Sequence, residues 1–151
     1  MVWKAWRIGD VIHYPGTQEV EKYVYTPGIH GLEFAKALKE GRILGMKCPG
    51  GIHVPPKTYC PDGSPGELVE VKGPWRIATF TIVYEDIYGN PLPEPQVLAL
   101  IRPDDARRGG LIHIVKADPD TVYIGMEVKP RWKPPEQRTG HITDIEYFEP
   151  A

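Results

Sequence analysis

The order of apolar and polar residues divides the chain near residue 66. Upstream of that point, one stretch has the period of a helix, with an apolar side (Leu32, Phe34, Ala35, Leu38) and a polar side (Lys36, Lys39, Glu40). Gly41 follows at the position that a glycine takes after a helix. The pattern predicts a helix over about residues 32–40. So short a helix is marginal alone, so its apolar side must pack on the protein's own core or on a partner.

Downstream of residue 66 the pattern is that of strands. Strands are predicted over residues 68–71, 75–84, 97–101, 111–115, 122–128 and 142–148. In the second of these, one face is predicted to carry Trp75, Ile77, Thr79, Thr81 and Val83, while the third is a continuous apolar run typical of a strand buried on both sides. Turn signals separate the strands. Five or six strands over about 80 residues predict a small Greek-key barrel of the OB type.

The remaining segments are short of core-forming residues. Residues 20–25 have the composition of a short strand, followed by a turn at Thr26-Pro27-Gly28. Residues 48–64 are mostly turn formers around Ile52 and Val54, so this segment cannot form a core by itself.

Charge and composition restrict the choice of partners. A formal net charge of -2 over 151 residues supplies no basic field, which makes a bare phosphate backbone a poor partner. The first residues lack the apolar core of a signal peptide, and no run approaches the roughly 18–20 apolar residues of a membrane span. We therefore expect a cytoplasmic protein without a membrane partner. A single asparagine, Asn90, and 17 prolines suggest a thermophilic source.

The residues that most often carry catalysis do not form a recognisable constellation. The histidines are scattered along the chain (His13, His30, His53, His113, His141). His113 lies in an apolar strand, which favours a structural, hydrogen-bonded role. Asp104 and Asp105, beside Arg107 and Arg108, are flanked by proline and glycine and are predicted to lie in a solvated loop. The sequence thus predicts a protein that is not an enzyme.

An OB barrel raises single-stranded nucleic acid as an alternative ligand, because such barrels stack bases on aromatic side chains in a basic groove. The candidate residues for this surface are Trp75, Arg76, Tyr84, Tyr123, Arg131, Trp132 and Lys133. The slightly acidic balance of the chain argues against this alternative.

Several motifs together resemble a known family. They are the run 25–28, Phe34, the run 38–48 ending in Cys48, the run 54–61 containing Cys60, and the C-terminal runs 124–128 and 140–150. In this order they resemble the zinc-ribbon/OB-fold proteins catalogued as domain of unknown function thirty-five, archaeal members in particular. The resemblance implies a mainly β protein with an N-terminal extension bearing the helix (1–41), a rubredoxin-like ribbon (42–65) and a C-terminal OB-fold barrel of five to six strands (66–151).

The resemblance also implies a function. Archaeal relatives are associated with acetoacetyl-CoA thiolase and hydroxymethylglutaryl-CoA (HMG-CoA) synthase of the early mevalonate pathway. It therefore implies a non-catalytic scaffold that bridges these enzymes, so that the acetoacetyl-CoA intermediate is consumed as soon as it forms. A stand-alone acyl-CoA carrier is the alternative, and no cofactor is required in either case.

The family's ribbon uses two Cys-x-x-Cys knuckles, and this sequence keeps only the first cysteine of each, Cys48 and Cys60. His53 and Asp62 are the nearest substitutes for the missing ligands. Three states are open: a metal-free ribbon held by packing, which we favour; a Cys48–Cys60 disulfide, as found in hyperthermophiles; and a residual zinc site.

Two further sets of residues are candidates for binding. Lys57, at the family's arginine position, could contact the phosphates of CoA together with Arg76, Arg131 and Lys133. Tyr59, Pro55 and Pro56 near the ribbon, with Trp3 and Trp6, are candidate anchors for a partner, since rigid aromatic side chains carry much interface energy.

Overall fold

The computed structural model describes residues 6–13 and 24–151. Trp3, most of the strand predicted over residues 20–25, and the side chains of Arg107 and Arg108 lie outside the described part. The elements are, in chain order, β1 (Trp6–Ile8), β2 (Val11–His13), α1 (Gly28–Lys39), β3 (Leu44–Cys48), β4 (Gly51–Val54), β5 (Glu67–Glu70), β6 (Trp75–Glu85), β7 (Pro91–Pro103), β8 (Ala106–Gly109), β9 (Leu111–Val115), β10 (Glu127–Trp132) and β11 (Ile145–Pro150). Two short 3₁₀ turns, Pro135–Gln137 and Ile142–Asp144, precede β11.

The helix α1 ends where the sequence predicts but begins one turn earlier. Gly41 has φ +79°, and the amides of Gly41 and Arg42 donate to the carbonyls of Leu38 and Ala37 at 2.9 and 2.8 Å. This is the Schellman arrangement, which satisfies the last carbonyls of a helix. Only Ala37 and Leu38 are buried, whereas Leu32 is 48% exposed. On the predicted apolar side, Leu32 therefore faces solvent, whereas Phe34 packs against the buried core cluster.

Five strands form a closed barrel in the order β10-β11-β9-β7-β6. All neighbours are antiparallel except β11 and β9, which run parallel with Phe148 opposite Val115. A five-stranded Greek-key barrel of this kind is the OB-fold, so the predicted fold class is confirmed.

Four of the strand predictions need correction. In β6 the register shifts between Ile77 and Thr79, so Phe80 turns toward the core while Thr79 and Thr81 are exposed. The predicted single face is wrong because a β-bulge reverses the alternation. The run 97–101 is buried on one side only, since Leu98 is 36% exposed.

The last two strands begin later than predicted. Gly125 has φ +92° and lies in a turn, so residues 122–126 are not part of the strand and β10 starts at Glu127. Likewise the run 142–148 opens with a 3₁₀ turn before β11 begins.

The ribbon and the barrel share a sheet and a core. The second sheet has the order β5-β3-β4-β8, and its strands β5 and β8 come from the segment after residue 66. The loop predicted around Asp104 and Asp105 thus leads directly into β8, which pairs in parallel with β4. Val54 of the ribbon and Leu38 of the helix belong to the same buried cluster as the barrel interior. The ribbon is therefore fixed against the barrel by hydrogen bonds and by apolar packing.

A buried carboxylate holds the turn before β11. Asp144 is 1% exposed and accepts hydrogen bonds from the amides of Thr139 (2.9 Å) and Gly140 (2.7 Å). Burial alone would raise the pKa of Asp144, but these backbone hydrogen bonds outweigh it and hold the pKa below its ordinary value. The carboxylate is therefore ionised in the folded protein at neutral pH.

We expect Asp144→Ala to lower the free energy of unfolding by about 3 kcal/mol at pH 7, because two buried amides lose their acceptor. A depressed pKa contributes stability above the unfolded-state value of about 4, and this contribution is lost as the pH falls through the folded-state value. The difference in free energy of unfolding between wild type and Asp144→Ala should thus become smaller in acid. Urea unfolding from pH 7 to pH 2 measures it, with exposed Asp105→Ala as the control. A gap that stays constant over this range would contradict the electrostatic explanation.

Candidate functional site

A cleft of about 430 Å³ lies where the ribbon meets the barrel. It is lined by His53, Val54, Pro55, Lys57, Tyr59, Pro61 and Gly109. Lys57 is exposed, and its carbonyl accepts a hydrogen bond from His30 Nδ1 at 2.7 Å, which ties the ribbon loop to the helix. Tyr59 is 63% exposed. A cation, an imidazole and an exposed aromatic ring suit an anionic ligand that contains a flat ring. We call this cleft the ribbon cleft.

The other three predicted phosphate contacts do not join Lys57 in this cleft. Arg76 lies on the barrel, bound to Asp104 (Nε to Oδ1, 3.0 Å) and to Glu127 (Nη2 to Oε2, 3.0 Å). The hydrogen bond that Arg76 donates to Asp104, together with the charges of Asp104 and Glu127, raises the pKa of Arg76. Arg131 is exposed on β10, and Lys133 lines a different groove. Because its charge is already matched by two carboxylates, Arg76 is a poor phosphate ligand.

The outer side of β7 and β9 carries an unexpected apolar surface. Leu98 is opposite Ile114, and Leu100 is opposite Ile112, with Ile142 beside them. Ile112 is 68% exposed and Ile114 39%. We call these five residues the outer apolar face. Its groove, about 430 Å³, has Lys133 and Glu146 among its lining residues.

Sequence reasoning missed the outer apolar face because it assigned the run 97–101 to a doubly buried strand. The signal was present in β9, whose five residues Leu111–Val115 include a single polar one, His113. His113 is the residue that points inward: it is 8% exposed, packs against the ring of Phe148 at 5.7 Å, and accepts a hydrogen bond from the amide of Ile114 at 3.0 Å. The structural role predicted for His113 is thus the one observed, and two isoleucines are left outside.

A second cleft, of about 720 Å³, adjoins the outer apolar face, since Ile114 and Glu146 line both. Its other charged residues are Glu94, Asp118 and Lys116, so carboxylates outnumber cations three to one. Lys116 lies over the ring of Tyr147, 5.1 Å from its centroid. This side of the barrel is therefore apolar and acidic, which disfavours a phosphate backbone.

The residues proposed for stacking nucleic-acid bases are not a continuous platform. Trp75 is 2% exposed in the core, and Trp132 is half-buried with the guanidinium of Arg138 over its ring at 5.5 Å. Tyr84 and Tyr123 are exposed, at 60% each. Trp75 is therefore not available to stack on a base, and the charge of Arg76 is already paired with carboxylates. The remaining residues do not form a continuous surface for a single-stranded nucleic acid.

More apolar side chains are exposed near the start of the chain. In the hairpin of β1 and β2, Trp6 stacks on His13 with ring centroids 5.5 Å apart, and Ile8 is opposite Val11. At the start of the helix, Val24, Tyr25 and Ile29 are 92%, 76% and 77% exposed. Isolated hairpins of two strands are only marginally stable in water, so this end of the chain gains from a contact.

Comparisons with known proteins agree with this architecture. Residues 35–65 match the rubredoxin-like zinc ribbon domain of ChsH2, and residues 68–133 match the C-terminal OB-fold domain of ChsH2. The crystal structure of a protein of unknown function from the DUF35 family of Sulfolobus solfataricus is 32% identical, over 68% of this chain and 78% of that chain, with a TM-score of 0.59. The structure of an Ltp2-ChsH2(DUF35) aldolase is 23% identical, over 80% of this chain and 93% of that chain, with a TM-score of 0.56, and supports the fold alone. No curated protein matches the chain.

The ribbon matches a zinc-binding domain, but its side chains differ from those that bind zinc. A structural zinc takes four ligands, yet Cys48 and Cys60 are joined in a disulfide with Cα atoms 5.7 Å apart. Asp62 accepts hydrogen bonds from the amide and hydroxyl of Ser64, and the hydroxyl is the main cause of its lowered pKa. His53 lines the ribbon cleft. Within residues 6–13 and 24–151, no group of three or more His, Cys, Asp and Glu side chains could hold a metal ion, so the residues do not fit zinc.

No helix in the described residues is long and apolar enough to span a bilayer.

Proposed function

Since the chain belongs to the DUF35 family, we propose that it is a non-catalytic accessory protein of acyl-CoA metabolism in the cytoplasm. Its partners would be enzymes of the thiolase type, with acetoacetyl-CoA thiolase and HMG-CoA synthase as the specific pair. A structure of the same fold is named Ltp2-ChsH2(DUF35) aldolase, with a DUF35 protein named beside a second one, and we propose the accessory role by analogy with it.

The observation that carries the proposal is the outer apolar face. Folded proteins seldom leave a continuous apolar surface open to water unless it contacts a partner. Leu98 and Ile114 form a cross-strand pair on this surface, and Ile112, two residues along β9, is its most exposed member. The surface therefore has the apolar centre that protein interfaces require.

The described polar groups do not include the pairing of a base with a nucleophile that covalent catalysis uses. None of the hydrogen bonds among the described residues joins a histidine to the side chain of a carboxylate, a hydroxyl or a thiol. The sulfurs of Cys48 and Cys60 are bonded to each other and are not available as nucleophiles. A base paired with a nucleophile, which covalent catalysis needs, is thus missing from the part of the chain that the structure describes.

As a scaffold, the protein would act by proximity. Condensation of two acetyl-CoA molecules is unfavourable, so a synthase that consumes the product at once draws the reaction forward. Holding both enzymes on one small chain raises the effective concentration of the intermediate at the second active site. No residue of this chain has to touch the reacting carbons.

CoA itself would bind in the ribbon cleft, with Lys57 near a phosphate and Tyr59 against the adenine. The barrel interior is filled by its own side chains, among them Ile101, Val115 and Phe148, which leaves no room for pantetheine there. This favours a site shared with the partner enzyme over a stand-alone carrier.

Affinity purification of the tagged protein from its native cell extract tests the function. A thiolase and HMG-CoA synthase recovered together, in equal amounts and at moderate salt, would support the scaffold. Recovery of the thiolase alone would retain the accessory role and remove the bridging role. Recovery of neither enzyme would refute both.

We expect Lys57→Ala to weaken the affinity of the purified complex for CoA about tenfold, because a charge-assisted contact to phosphate is lost. Titration calorimetry with CoA and with 3′-dephospho-CoA measures the change. Lys72→Ala is the matched control, since the Lys72 side chain is 83% exposed and does not line the ribbon cleft. Equal affinities in the two variants would exclude Lys57 from the site.

A further inference from the structure

The ribbon keeps the turns of a zinc ribbon but not its ligands. Gly51 and Gly63 stand three residues after Cys48 and Cys60, where a Cys-x-x-Cys knuckle has its second cysteine. Both glycines have positive φ, +133° and +82°, a region that other residues rarely adopt. The amide of Gly63 donates to the carbonyl of Cys60 at 2.9 Å, so the second knuckle is closed as a turn. The backbone shape persists, and glycine supplies no atom that could bind a metal.

The space around the two sulfurs is filled by apolar groups. Cys48 and Cys60 are 8% and 4% exposed and form a buried cluster with Met46, which is fully buried. Gly66 closes the cluster: a Cβ atom there would fall against Met46 and 3.1 Å from Cys60 Sγ. A zinc ion bound by these two sulfurs would lack its other two ligands in this apolar environment, whereas a disulfide needs none.

The disulfide spans the ribbon. It joins the end of β3 to the loop before β5 with a sequence separation of 12, and β4 lies between the two cysteines. The same loop is held by the amide of Cys60, which donates to the carbonyl of Ser64 at 2.9 Å. A cross-link that closes a loop of this length lowers the conformational entropy of the unfolded chain and so stabilises the fold. A zinc ion stabilises a ribbon by joining the same two segments.

We propose that the Cys48–Cys60 disulfide replaces the metal of the zinc ribbon, so that this ribbon folds without zinc and is stabilised by oxidation. The bond forms by exchange with a protein or small-molecule disulfide. One cysteine thiolate attacks that disulfide and releases one thiol; the second cysteine then displaces the other thiol. Two protons and two electrons pass from the cysteines to the oxidant, which leaves as two thiols. The proposal concerns the ribbon alone and does not depend on the proposed function.

The first experiment measures thiols and metal in the untagged full-length chain. Native cells are quenched in acid, free thiols are alkylated, and the intact protein is weighed before and after reduction. We expect both cysteines to be protected until a reductant is added, and less than about 0.1 zinc per chain by elemental analysis of protein purified without chelator. Two alkylated cysteines without reductant, or near-stoichiometric zinc, would each overturn the proposal.

The second experiment compares melting temperatures of the oxidised chain, the reduced chain, and the reduced chain with added Zn²⁺. Reduction should lower the melting temperature by roughly 6–12 °C, and zinc should not restore it. Cys48→Ala/Cys60→Ala should melt near the reduced wild type and should not respond to reductant. Should that variant not fold, the reduced wild type with and without zinc decides alone. Recovery of the full melting temperature on adding zinc would show that the ribbon is still a metal site.

Discussion

Replacement of Phe148 by alanine is expected to lower the free energy of unfolding by about 3–5 kcal/mol, the range for deletion of a fully buried aromatic ring. Phe148 is 0% exposed and makes edge-on contacts with two other rings, Trp75 at 6.2 Å and His113 at 5.7 Å. It also lies opposite Val115, where β11 and β9 make the parallel contact that closes the barrel. The deletion thus leaves a cavity where three strands meet. Urea denaturation followed by tryptophan fluorescence measures the loss.

The matched control is Tyr84→Ala on β6, an aromatic side chain that is 60% exposed. Its loss should change the free energy of unfolding by no more than about 0.5 kcal/mol, since surface substitutions are usually within that limit. If the two variants were equally stable, the closed barrel centred on Phe148 would be wrong.

The fold class could be predicted from the sequence because one helical pattern precedes a series of strand patterns separated by turn residues. The apolar run 111–115 and the turn glycines before it predicted β9 at its observed bounds. Gly41 predicted the end of α1 because glycine readily adopts the left-handed conformation that follows a helix. In the structure Gly41 has this conformation, with φ +79°. The start of the helix could not be read in the same way, because Pro27 gives no side-chain cap and Gly28 resembles a turn residue. Boundaries without a capping signal are where such predictions fail.

Side-chain orientation was harder to predict than strand existence. A bulge between Ile77 and Thr79 reverses which residues of β6 face the core, and no local signal in the sequence marks it. The apolar run 97–101 is compatible with burial on one side or both, and only the closure of the barrel decides between them. For this reason the outer apolar face, the most informative surface of the barrel, was not predicted from the sequence.

The structure separates the cations that were predicted together as ligands of the CoA phosphates. Lys57 lines the ribbon cleft, whereas Arg76 is held by Asp104, a partner 28 residues further along the chain. Ion pairs between residues distant in sequence depend on the fold, so they cannot be seen in a single sequence. The Cys48–Cys60 disulfide is not the state that the sequence favoured, which was a metal-free ribbon held by packing. The choice depends on what surrounds the sulfurs, and that is known only from the fold.

A charge placed on the outer apolar face should abolish capture of the partner enzyme. Ile112, the second residue of β9, is 68% exposed, with Leu100 opposite it on β7. Because its side chain is in water in the free protein, Ile112→Lys should leave the melting temperature unchanged. In the complex it would bury an unpaired ammonium in an apolar contact, so we expect the affinity for the co-purified thiolase to fall at least 30-fold, the scale of an interface hot spot.

The control for that experiment is Ile124→Lys, the same substitution at a residue of matching exposure, 66%, that lies before β10 and outside the outer apolar face. Both variants add one positive charge, so a nonspecific effect of net charge would weaken both equally, and added salt would reduce it. A loss confined to Ile112→Lys and insensitive to salt would identify desolvation of the charge at a buried contact as the cause. If both variants retained the enzyme, the partner would have to bind elsewhere, and the hairpin of β1 and β2 with the start of α1 would be the next surface to substitute, since its apolar side chains are as exposed as those of the barrel.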